Sequence, residues 1–224
     1  MTRAIAILLL LTGGCGLLNP TTTPQPSQFS LDGARAEPRQ VMRAPAPLPQ
    51  AAPTLIVNPP HAAAGYDSRR MVYVREAHKR ETFAYSEWVD TPARMLAPLI
   101  VAALEDSGAF RAVVLTPSAA AGNLRLDTEV IRLQHEFQGA PSRVRLTLRA
   151  HIVDNATRQV LAWREFDETA DAASENPYGG VMAANRVAQT VLQQLAHFAA
   201  EAAKGWQPPA AESAQRAEGS LPGK

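Results

Sequence analysis

The chain has 224 residues, with 22 Lys and Arg against 21 Asp and Glu, so no net field draws it to nucleic acid or to an acidic membrane surface. Its single cysteine, Cys15, has no second thiol to pair with, and stability must come from apolar packing even in an oxidising compartment. The length suits one domain with a full core and flanking linkers.

Residues 1–14 read as a secretory signal: Arg3 supplies a positive start, residues 4–11 form a short apolar core, and Thr12-Gly13-Gly14 are small residues at the cut. The apolar stretch is too short to span a bilayer, which takes about 20 residues. Cys15 directly behind it is the expected lipid acceptor. Bacterial lipoproteins carry Leu-small-small-Cys at this point, and here Leu11 stands one position further out, with Thr12 in the usual leucine place. Diacylglyceryl and amino-terminal acyl chains together give stable anchoring where one chain would not. The segment 15–27 is then a tether.

A domain is expected over 28–205, interrupted by a proline-rich insert at 33–53; residues 20–60 hold ten of the chain's 18 prolines, and such a stretch is extended and adds little core. Residues 28–32 alternate polar and apolar as an edge strand does, and Thr54-Leu55-Ile56-Val57 is a buried-type strand. Residues 71–75 and 82–85 form the arms of a hairpin whose charged connection is 76–81. The first helix starts at Pro92, capped by Asp90 or Thr91, and stops before Gly108; Leu96, Leu99, Ile100, Ala103 and Leu104 face inward, and Pro98 predicts a kink over residues 94–98. A short strand at 112–115 follows.

From Asn123 to Thr169 the period changes to two, which predicts an antiparallel meander. Val144, Leu146, Leu148, Ala150 and Ile152 share one parity against Arg143, Arg145, Thr147, Arg149 and His151. A parity switch at Val130-Ile131 predicts a bulge. The third run carries Val160, Leu161, Trp163 and Phe166. The second helix runs from Asn176-Pro177 to about Lys204 with an apolar stripe through Val181, Ala184, Val187, Ala188, Val191, Leu195 and Phe198. Residues 206–224 are polar and small and read as a disordered tail. The fold class is α+β: a mostly antiparallel sheet with two long helices on one face, a two-layer sandwich.

Chemistry is sparse. There is no Gly-x-Ser-x-Gly elbow and no phosphate-binding glycine loop, and His61, His78, His135, His151 and His197 stand apart as surface or edge-strand residues. No cofactor or metal is expected, and no catalytic residue. Asp127 and Glu129 share a strand face as a glycosidase pair would, but the arginine row across the sheet offers cross-strand ion pairs instead. Candidate interface residues are Tyr85, Trp88 and Tyr178 at element ends, with Arg145 and Arg149 from the charged row. Gly179-Gly180 in the first turn of a helix is unfavourable by propensity, which points to close approach of a strand, a subunit or a ligand, unless the helix begins only at Val181.

The lipobox, the strand Phe29-Ser30-Leu31-Asp32, the segment Tyr85-Ser86-Glu87-Trp88-Val89-Asp90-Thr91-Pro92, the meander start Leu124-Arg125-Leu126-Asp127-Thr128-Glu129 and the late Tyr178-Gly179-Gly180 together resemble the ABC-type transport auxiliary lipoprotein component family. The resemblance implies a non-enzymatic lipoprotein of the outer membrane that faces the periplasm. It would dock with a mammalian-cell-entry (MCE) domain protein served by an ABC permease and ATPase, and so take part in intermembrane lipid transport. Gly16, where an inner-membrane retention signal would place Asp, agrees with outer-membrane sorting. A ring-shaped homo-oligomer fits a tube-like partner, and nucleic acid is not an expected partner. Two other readings are a carrier holding an acyl chain between helices and sheet, and an envelope hydrolase using Asp127 and Glu129.

Overall fold

The structure, a computed structural model, describes residues 25–32 and 52–208. The signal, Cys15, most of the tether, the proline-rich insert up to residue 51 and the tail from residue 209 lie outside the described residues. Within them the strands are β1 (Ser27–Phe29), β2 (Thr54–Val57), β3 (His61–Ala62), β4 (Arg70–Glu76), β5 (Lys79–Trp88), β6 (Ala112–Leu115), β7 (Leu124–Glu136), β8 (Arg143–Asp154) and β9 (Val160–Asp171). The helices are α1 (Pro92–Asp106) and α2 (Pro177–Gly205).

The spine is β7, where Leu124, Leu126 and Val130 alternate with Arg125, Asp127 and Glu129 to give one dry face and one wet face. Along one side β8 pairs antiparallel from Leu124↔Asp154 to Glu136↔Arg143, and β9 lies beyond it. The other side is shared by three short strands from the N-terminal half. There β2, β3 and β4 meet β7 in turn at Leu55↔Leu124, His61↔Glu129 and Tyr73↔His135, all parallel. Pro59 and Pro60 lack the N–H a ladder needs and divide β2 from β3. Outside β2 lies β6; outside β4 lie β5 and then β1. The sheet is therefore mixed, with its long ladders antiparallel.

The expected bulge is present as a register shift between Val130 and Arg132. It moves the dry parity from even to odd numbers, so that Leu133 and His135 face the core. Both helices cover this face and touch each other, α2 lying across β8 and β9 and α1 against β6 and β7. Leu55, Leu96, Ile100, Leu124, Leu126, Leu146 and Phe166 are all at most 2 % exposed, and full burial of such a side chain is worth about 1.5–3 kcal/mol. Thr91 is the cap of α1 by backbone geometry and its side chain makes no capping bond. The helix continues past Pro98, whose ring is exposed, as is Arg94, so the carbonyl that loses its N–H partner lies on the wet side. At the far end of α2, Trp206 donates from Nε1 to Asp154 Oδ2 at 2.7 Å, which carries the ordered domain past Gly205.

Candidate functional site

Three places gather side chains that could act on something: the wet face of the meander, the start of α2, and the exposed aromatics. On the wet face Arg145 and Arg149 of β8 are each held between carboxylates from both neighbouring strands, and Arg143 is paired with one from β7. Arg145 reaches Glu136 at 2.9 Å and Asp167 at 2.8 Å, Arg149 reaches Glu129 at 3.4 Å and Glu165 at 2.9 Å, and Arg143 reaches Glu136 at 3.0 Å. The strand register dictates this, since Glu136↔Arg143 and Glu129↔Arg149 are directly opposite. Burial pushes the Glu136 carboxyl up, but hydrogen bonds from Gln134, Arg143 and Arg145 outweigh it and hold the group below the ordinary glutamate range. With the guanidiniums neutralised, Arg145 and Arg149 do not form a bare cationic row for phosphate.

The cross-strand pairing expected for Asp127 does not occur. His151 stands opposite it in the register, and Asp127 instead takes Arg125 of its own strand at 3.0 Å and accepts a hydrogen bond from Asn58 Nδ2 at 2.6 Å. Asp127 and Glu129 are thus both ion-paired, which leaves neither as a free acid to protonate a glycosidic oxygen.

The start of α2 holds a polar cluster that the sequence did not reveal. His135 was expected at the surface or on an edge; it is 4 % exposed, because the bulge turns it inward. Its Nε2 lies 2.8 Å from Ser142 Oγ, and Ser142 donates its backbone N–H to Glu175 Oε1 at 2.9 Å. Backbone and side-chain hydrogen bonds from Ser142 lower the Glu175 carboxyl. A proton on His135 Nε2 satisfies this chain: the ring donates to Ser142, and the serine hydroxyl turns to Glu175. His135 Nδ1 then has no partner and faces Gly180, where an added Cβ would lie 2.6 Å from it. The order is wrong for a nucleophilic relay, in which the carboxylate orients the histidine, and Ser142 is fully buried. The cluster instead ties the β7–β8 turn to the loop before α2.

The approach inferred from Gly179-Gly180 is therefore that of a strand, β7, together with the loop residue Ser174, and the helix begins at Pro177 rather than Val181. Beside it a cavity of about 10 Å³, lined by Met71, Phe83, Trp88, Leu133 and His135 among others, has room for about one water. An acyl chain does not fit there.

Burial lowers the His135 pKa, partly opposed by the charge of Glu175. The folded chain therefore binds this proton less readily than the unfolded one, and stability is lost as pH falls through the ordinary histidine range. Urea midpoints measured between pH 7.5 and 5.5 should fall, and His135→Phe should flatten that slope. An equal slope in the variant would place the effect elsewhere.

Among the aromatics, Trp88 is corrected: it is 4 % exposed, inside the core, and unavailable as a contact residue. Tyr85 and Tyr178 remain on the surface at 61 % and 60 % exposed, the latter beside Phe29 with ring centroids 6.4 Å apart. Of the third run only Phe166 is buried; Val160 and Leu161 are exposed, and Trp163 is 64 % exposed above His151. Trp163 has the opposite parity to Phe166, a signal present in the sequence. Among the described residues no cluster of His, Cys, Asp and Glu could hold a metal, and no helix is long and apolar enough to cross a membrane.

Residues 37–196 match the ABC-type transport auxiliary lipoprotein component family. The chain belongs to this family. Its fold is that of protein XCC0632 from Xanthomonas campestris, with a TM-score of 0.68 at 21 % identity over 80 % of this chain and 97 % of that one. An uncharacterised protein of known crystal structure has a TM-score of 0.58 at 16 % identity, covering 79 % of this chain and 98 % of that chain. No curated protein matches the chain. Membership makes this an auxiliary lipoprotein component of ABC-type transport, and the match takes in the described residues 52–196.

Proposed function

We propose that the chain is a non-enzymatic accessory of an ABC/MCE-type lipid transport system, anchored through Cys15 to the outer membrane, facing the periplasm and docking with an MCE-domain conduit protein. The observation that carries this is the family match over 37–196 behind a lipobox-like start with a single cysteine. The domain's makeup supports a docking role. Its carboxylates and arginines neutralise each other and its serine–histidine pair is buried, so recognition falls to surface shape and exposed aromatics. The carrier alternative needs an acyl-sized cavity, and the space beside His135 is far smaller.

Chemical crosslinking in intact cells followed by affinity purification of the chain tests the reading. An MCE-domain protein should be recovered together with its permease and ATPase. Recovery of no such protein, with the chain itself well expressed and membrane-bound, overturns the MCE assignment.

A further inference from the structure

Exposed apolar side chains are not spread evenly over the domain. Of the eight large hydrophobic residues exposed among the described residues, four gather around β1: Tyr85, Val89, Tyr178 and Met182. Tyr85 stands one residue before the Ser27↔Ser86 pair, and Val89 donates its N–H to the Phe29 carbonyl at 2.8 Å. The Phe29 ring lies 6.4 Å from that of Tyr178, and Met182 follows one turn later on the same outer side of α2. The described chain also enters the domain here, at Gln25. Cys15 stands ten residues earlier.

We propose that this patch rests on the lipid bilayer to which the chain is tethered, its four side chains entering the headgroup region. The inference rests on the anchoring of Cys15 stated above. Ten residues extend at most about 35 Å, so an acylated Cys15 keeps β1 and its surroundings within that distance of the membrane surface. A short tether also makes the contact intramolecular, so a patch too small to hold a free protein on a bilayer suffices once the chain is anchored. Tyrosine suits such a place, with an apolar ring and a hydroxyl that reaches water. Charge adds no attraction. The nearby ionic groups are Asp32, which accepts a hydrogen bond from Ser30, the Asp90–Arg94 pair at 3.2 Å and the Glu87–Arg69 pair at 2.7 Å, so the surface that fits is zwitterionic rather than acidic.

Seating this side on the bilayer turns the opposite side away from it. Over its 29 residues, about 43 Å, α2 runs from a first turn where Gly180 faces His135 to an end where Trp206 bonds Asp154. Beside that end β9, the fourth strand beyond β5, opens with the exposed Val160, Leu161 and Trp163. These three residues stay in the aqueous space.

Tyr178→Cys, Met182→Cys and, as the far-side control, Trp163→Cys each place a thiol at a position at least 44 % exposed, in a chain whose own cysteine the anchor consumes. The full-length chains are purified from membranes, labelled with an environment-sensitive fluorophore and returned to phosphatidylcholine vesicles, then read with a nitroxide on the lipid and with iodide in the water. Lipid nitroxide should quench the probe at 178 and at 182 about twofold or more, as burial of about 5–10 Å into the interface implies. Iodide should quench those probes weakly, and the probe at 163 should show the reverse. Equal lipid quenching at all three positions, in chains that float with the vesicles, overturns this inference alone. Probes at 178 and 182 that are shielded from iodide yet untouched by the lipid nitroxide also overturn it, and would place a second copy or the chain's own residues 33–51 over the patch. An unsubstituted chain that takes the label at Cys15 and fails to float overturns the anchoring reading, and this inference with it.

Discussion

Replacing Gly179 by alanine should lower the unfolding free energy by about 1–3 kcal/mol, the usual cost of forcing an extra carbon into a closed site. Propensity alone argues the reverse, since alanine in a helix gains up to about 1 kcal/mol over glycine. Geometry decides against it. A Cβ on Gly179 would lie 2.1 Å from the carbonyl oxygen of Ser174 and 2.5 Å from its hydroxyl. That loop cannot retreat freely, because Ser174 Oγ bonds Asn176 Oδ1, which also accepts the Gly179 N–H as the cap of α2. Gly139, with nothing within 4 Å of its added Cβ, is the control, and Gly139→Ala should leave the urea midpoint near that of the parent chain. Equal midpoints for both alanine variants would show that the turn yields without cost.

Cys15→Ser should release the protein from the membrane completely. A serine hydroxyl cannot take the thioether-linked diacylglyceryl group, and the described domain has no membrane-spanning helix to hold it in place. Fractionation with a carbonate wash distinguishes the outcomes: parent chain in the membrane pellet and labelled by fatty acid, variant in the supernatant and unlabelled. A variant that stays in the washed pellet would show that something other than Cys15 provides the anchor. The acylation proposed for Cys15 would supply two or more hydrocarbon chains, each buried methylene worth about 0.8 kcal/mol, which is why the loss should be all or none.

Much of the architecture is legible in the residues themselves. The single parity of Val144 through Ile152, the proline and glycine punctuation around α1, and the stripe from Val181 to Leu195 each encode one element and its buried face, and each stands where its pattern puts it. Direction is less legible. A period of two signals a strand but is silent on its partner, so the parallel seating of β2, β3 and β4 on β7 follows only from long-range closure. The charged row illustrates the same limit: opposite charges suggest pairing, but whether Asp127 meets an arginine or His151 depends on a one-residue register. His135 and Ser142 were missed because they come together through a bulge and a turn; carried past that bulge, the dry parity through Leu133 would have pointed to His135. Trp88 shows that an aromatic at an element end carries no label for inside or outside until the neighbouring strand is placed.

The asymmetry of β7, with one long partner on one side and three brief ones on the other, bears on the order in which the molecule is assembled. The early strands β2, β3 and β4, from Thr54 to Glu76, find their shared template only in residues 124–136, after the intervening strands and helix have been made. Ladder formation between β7 and β8 is local and can proceed as soon as both have emerged. A chain delivered amino terminus first therefore exposes its earliest hydrophobic strands for longest, and whatever escorts it must shield Leu55, Ile56 and Val57 until the meander arrives.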